Sequence, residues 1–146
     1  MRTFLALAVV VLAVPALALA AGQSMSPVVS AKLKGSNESP VQGDPNGKGL
    51  AVIHLNAAKG TTCWSFKGVT GIDKPTMAHI HKGSKGTSGP VVLPFGKSYK
   101  MSGCVKTSKS TIERIETSPN AYYVNIHNAK YPAGALRGQL VAGMEG

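Results

Sequence analysis

Three glycines at a constant step of three, Gly83, Gly86 and Gly89, follow directly on the pair His79-x-His81. No other stretch constrains the fold as much. A helix through it would carry a glycine on nearly every turn, each costing about 1 kcal/mol relative to alanine. The run therefore reads as a tight loop. It returns the chain from one extended segment into the apolar strand Val91-Val92-Leu93. In a strand, the spacing of His79 and His81 puts both imidazoles on one face and Ala78 and Ile80 on the other.

The rest of the chain repeats the same grammar of short alternating runs and turns. Val28–Leu33 reads as a first strand, and the segment from Gly35 to Lys48 is a loop dense in glycine, proline, Asp and Asn. Leu50–Ala57 sets Ala51, Ile53 and Leu55 against Val52, His54 and Asn56, a half-buried strand. Thr61–Val69 sets Thr62, Trp64 and Phe66 against Cys63, Ser65 and Lys67. Ser98–Val105, Ala121–His127 and Ala135–Val141 read as further strands, with Tyr123, Asn125 and His127 on one face. Ser110–Thr117 is the one convincing helix: Ser110 and Glu113 form an S-x-x-E capping box, and Ser118-Pro119 ends it. Seven or eight closely spaced strands predict an all-β fold. The architecture expected is an antiparallel Greek-key-like β-sandwich or partly open barrel with one short helix.

Residues 1–20 have the order of a signal peptide: Arg2, an apolar run from Phe4 to Val14, and the small-x-small site Ala18-Leu19-Ala20. A single domain is expected over 21–146, with its core at about 29–140, secreted or periplasmic and without a transmembrane segment in the mature form. The formal charge of +10 is carried mostly by thirteen scattered lysines. That distribution suits an anionic envelope surface or polysaccharide, and no recognition helix or aromatic stacking run points to nucleic acid. Cys63 and Cys104 are the only cysteines. In an exported chain they read as one disulfide, worth about 3–4 kcal/mol for a loop of this size.

Chemistry rests on the four histidines, His54, His79, His81 and His127. The His-x-His pair with a third imidazole from another strand makes a three-nitrogen site of the kind that suits copper or zinc. His79, His81 and His127 are the candidate metal ligands; His54, on the more polar face of its strand, is the weakest candidate. The same rings also admit a plainer role, bonded to backbone carbonyls and fastening loops. The six acidic residues form no acid–base pair, and no serine sits in a Gly-x-Ser-x-Gly elbow.

Ala78-His79-Ile80-His81-Lys82-Gly83 followed by Gly86 and Gly89-Pro90-Val91-Val92 resembles the first half of the CHRD domain signature. Tyr123-Val124-Asn125-Ile126-His127 followed by Pro132-Ala133-Gly134-Ala135-Leu136-Arg137-Gly138-Gln139-Leu140 resembles the second half. The resemblance spans about Val29 to Leu140 and implies an exported, β-sandwich-like domain. A weaker similarity, in the order of His79-Ile80-His81, His127 and Gly134-Ala135-Leu136-Arg137, is to copper-zinc superoxide dismutases. It would make the three histidines copper ligands and Arg137 an anion guide, although the dismutases' zinc loop has no counterpart here. The expected function is a non-catalytic binding module with a candidate copper site at its rim. The alternatives are a copper-dependent dismutase-like enzyme and a structural or adhesive envelope protein.

Overall fold

A computed structural model describes residues 27–143, so the expected signal peptide lies outside the described residues. Among the described residues, nine strands run in the order β1 (Val28–Lys34), β2 (Lys48–Asn56), β3 (Thr61–Thr70), β4 (Pro75–Lys82), β5 (Val91–Pro94), β6 (Ser102–Lys106), β7 (Tyr122–Asn128), β8 (Leu136–Gln139) and β9 (Val141–Ala142). One α-helix, α1 (Lys109–Thr117), lies between β6 and β7. All strands join one sheet, β5-β4-β7-β8-β1-β2-β3-β6, with β9 paired to β1, and every pairing is antiparallel.

Of the two architectures expected from sequence, the partly open barrel is the one observed. The sheet curls so that one face lines a common core. Val29, Ala31 and Leu33 on β1, Ala51, Ile53 and Leu55 on β2, Trp64 and Phe66 on β3, Ile80 on β4, and Val124 and Ile126 on β7 all bury there. These are the apolar positions of the period-2 pattern, which is why the sheet face was legible. The seam between edge strands β5 and β6 is closed by their connecting segment. On the β4 side the Phe95 and Tyr99 amides donate to the Ala78 and Thr76 carbonyls. On the β3 side the Trp64 indole N–H donates to the Lys100 carbonyl and the Phe66 amide to the Met101 carbonyl. Phe95 fills the seam, stacked on Trp64 at 4.8 Å and edge-on to Phe66 at 5.8 Å. The disulfide Cys63–Cys104 joins β3 to the edge strand β6 at directly paired positions.

Helix α1 caps one end of the barrel through Ile112 and Ile115, both fully buried. Its start differs from the sequence expectation. Ser108, not Ser110, is the N-cap, and its hydroxyl accepts from the Thr111 amide. The Ser110–Glu113 box lies two residues too far along; an exposed S-x-x-E pattern fits any register near the start, and burial of Ile112 and Ile115 selects this one. The last expected strand is also split. Leu140 turns inward between β8 and β9, its amide bonded to the Tyr122 carbonyl.

Candidate metal centre

Strand β7 is buried along its whole length. Its core face carries Tyr122, Val124 and Ile126, while its other face carries Tyr123, Asn125 and His127. That second face is polar and would be exposed in a bare sheet. Here two loops roof it. The glycine-rich loop from Gly83 to Pro90 folds back over β4 and β7, and the loop after β1 meets it through hydrogen bonds from the Ser39 hydroxyl to the Gly86 carbonyl and from the Ser88 hydroxyl to the Ser39 carbonyl. Glycine is needed at both the turn and the return of the roof. Gly86 has φ +81°, and a Cβ on Gly89 would lie 1.7 Å from the Lys82 carbonyl oxygen.

Pairing of β4 with β7 sets His79 opposite Asn125, His81 opposite Tyr123, and Met77 opposite His127. The three imidazoles thus share the roofed face, and one nitrogen from each of His79, His81 and His127 lies within 4.8 Å of the others. His79 Nδ1 and His127 Nε2 are 3.1 Å apart. Backbone carbonyls determine two tautomers. His81 Nδ1 donates to the Gly89 carbonyl at 2.8 Å, and His127 Nδ1 donates to the Pro132 carbonyl at 2.9 Å. A carbonyl can only accept, so each Nδ1 carries hydrogen and each neutral ring keeps its lone pair on Nε2. The His81 Nε2 is buried and has no hydrogen-bond partner. His54 is exposed on β2 and stands apart from the cluster.

Tyr123 organises the rest of the layer. His81 stacks on its ring at 4.8 Å, nearly parallel, and the Arg137 guanidinium lies 3.5 Å from the ring centroid. Arg137 is 1 % exposed, and its Nη2 donates to the carbonyls of Ser84 (2.9 Å) and Thr87 (2.8 Å). It therefore ties down the glycine loop rather than standing in an open approach to the histidines. Gln139 assists, its side-chain amide donating to the Gly83 carbonyl at 2.7 Å. Glu38 is also buried here, with its carboxyl against Gly134 and in the field of Arg137.

The electrostatics follow from burial. Desolvation holds the His79 imidazole down at about 4, with the nearby His127 and His81 rings pushing the same way and Asn125 opposing. Burial also lowers His127, against the Pro132 carbonyl. Both rings are neutral at pH 7 and offer lone pairs. Burial raises the Glu38 carboxyl to about 7 despite the attraction of Arg137.

These shifts predict opposing pH effects on the stability of the metal-free protein. Between about pH 6.5 and 4 the unfolded chain binds a proton that folded His79 refuses, and the lowered His127 acts in the same direction below 6.5, so the histidines destabilise the fold as pH falls. Between about 4.5 and 7 folded Glu38 holds a proton that the unfolded chain releases, so Glu38 stabilises the fold as pH falls. The Glu38→Gln variant is expected to lose more melting temperature between pH 7.5 and 5 than the wild type. Parallel curves by scanning calorimetry would refute this.

The chain matches the family model of the CHRD domain over residues 29–140. That covers most of the sequence and both halves of the roofed layer; the protein belongs to the CHRD domain family. No curated protein and no solved structure matches it significantly. The similarity to copper-zinc superoxide dismutases thus receives no support from relatives, and the buried Arg137 lends it none. Sequence reasoning brought together the three histidines but missed Glu38, Asn125 and Tyr123 as their surroundings. The alternation along β7 already set Tyr123 and Asn125 beside His127; nothing local marked Glu38, a loop carboxylate buried by long-range packing.

Proposed function

We propose that this CHRD domain is an extracytoplasmic, non-catalytic binding module that holds a transition metal, copper foremost, through His79, His81 and His127. The observation that carries this reading is the unpartnered, buried Nε2 of His81 beside two other imidazoles that are neutral at pH 7 and bonded to each other, His79 Nδ1–H donating to His127 Nε2. A structural histidine would have used that nitrogen. The 3.1 Å between His79 and His127 nitrogens matches two ligands on one ion with bonds of roughly 2.0–2.1 Å. Copper and zinc both suit neutral imidazole, and no thiolate competes because both cysteines are in the disulfide. The Gly89 and Pro132 carbonyls orient two of the rings, as outer partners of metal-bound histidines do. His79 would present Nδ1 with its proton moved to Nε2, on the side where Asn125 Oδ1 lacks a partner. The disulfide favours a compartment outside the reducing cytosol, and the excess of lysine suits an anionic envelope surface.

Isothermal titration of the tag-free protein with copper and zinc tests the site. One equivalent is expected to bind, and the triple substitution His79→Ala, His81→Ala, His127→Ala should weaken affinity at least a hundredfold. Undiminished binding by the triple variant would remove the reading.

A further inference from the structure

The face of β4 that carries His79 and His81 carries one more side chain. Met77 precedes His79 by two residues, so alternation sets it on the same side of the strand, opposite the buried Ala78 and Ile80. The ladder between β4 and β7 pairs Met77 directly with His127, and Ala78 with Ile126. Ala78 and Ile126 belong to the core, so Met77 and His127 share the polar face. Directly opposed residues hold their Cβ atoms about 4.5–5.5 Å apart. Met77 thus neighbours both imidazoles whose nitrogens approach to 3.1 Å, His127 across the ladder and His79 along the strand. The glycine loop covers the other end of the layer, where His81 donates to the Gly89 carbonyl. At the Met77 end the layer is open: Met77 is 43 % exposed, while its cross-strand partner His127 is buried.

Three imidazoles leave the fourth position of a tetrahedral ion open. We propose that the thioether sulfur of Met77 fills it, and that the resulting set of three nitrogens and one sulfur makes the centre selective for copper(I) over zinc. This assignment rests on the three-histidine site proposed above. The sulfur lies two bonds beyond Cβ on an unbranched, flexible side chain, and its exposure leaves room to swing without repacking the core. A thioether is a soft donor that copper(I) takes readily, whereas zinc is held by imidazole, thiolate or carboxylate. Among the described residues no carboxylate joins the three histidines, and both cysteines are in the disulfide. All four ligands are then neutral, so the ion keeps its full charge in a partly buried layer. A single positive charge is less costly to bury than two.

The test is an anaerobic titration of the tag-free protein with copper(I), read by competition with the chromophoric chelator bicinchoninate, beside a calorimetric titration with zinc. Met77→Leu removes the sulfur and keeps the apolar volume, so the melting temperature of the metal-free protein should not move. Its copper(I) affinity is expected to fall at least tenfold and its zinc affinity less than twofold. Copper K-edge absorption of the copper(I)-loaded wild type should show one sulfur ligand that the variant lacks. Met101→Leu, at another exposed methionine, beside β3, should match the wild type. Unchanged copper(I) affinity in Met77→Leu, with both metals lost in the triple histidine variant, would overturn the fourth ligand and leave the three-histidine site standing. Equal losses of copper(I) and zinc in Met77→Leu, or a matching copper(I) loss in Met101→Leu, would also refute it. A wild type that binds neither metal would remove both readings.

Discussion

Replacing Arg137 by alanine is expected to cost about 3 kcal/mol of unfolding free energy, a large share of the stability of a domain this size. The loss has three sources. Two charge-assisted hydrogen bonds to the Ser84 and Thr87 carbonyls disappear. Those carbonyls lose their partner, and the Tyr123 ring loses the cation on its face. Lysine should recover less than half, because a point charge on a flexible stem does not reproduce a planar donor lying flat on the ring. Urea denaturation reads the free energy. Hydrogen exchange locates it, with faster exchange expected in the loop from Gly83 to Pro90 and little change in β2 and β3. A cost under 1 kcal/mol would mean that the roof stands without its arginine.

The double variant Cys63→Ala, Cys104→Ala should lose about 3–4 kcal/mol, since the bond closes a loop of 41 positions. For a domain of this length that is on the order of 10 °C in melting temperature. The structure adds where the loss falls. Strand β6 is an edge, paired only with β3, and the bond joins the two at facing residues. Fraying of β6 would also loosen the seam where Trp64 and Phe66 meet the segment after β5. Metal affinity should be unchanged, because the imidazoles sit on β4 and β7. A variant as stable as the wild type, or one that loses metal as well as stability, would contradict this assignment.

The two predictions differ in how far sequence alone could have reached them. The cysteines were legible because a chain with two of them leaves one possible pairing. Arg137 was not. Alternation placed it on the outer face of its strand, and an outer arginine is ordinarily solvated. It is buried because the glycine loop crosses two strands to cover it, a contact spanning some fifty residues that no local pattern encodes.

By itself, the sequence determined the face each side chain takes. Period-2 alternation with glycine and proline between the runs put the aliphatic residues on one side of the sheet, and the spacing of His79 and His81 put both imidazoles on the other, because neighbouring strand residues must point in opposite directions. Only the tertiary structure decided that β4 and β7 are neighbours, that the sheet curls into one open barrel, and that loops convert its polar side into a buried layer. Those outcomes depend on which distant segments bury the most apolar surface together while leaving the fewest polar groups unpaired. That sum is taken over the whole chain and cannot be read from any single stretch of it.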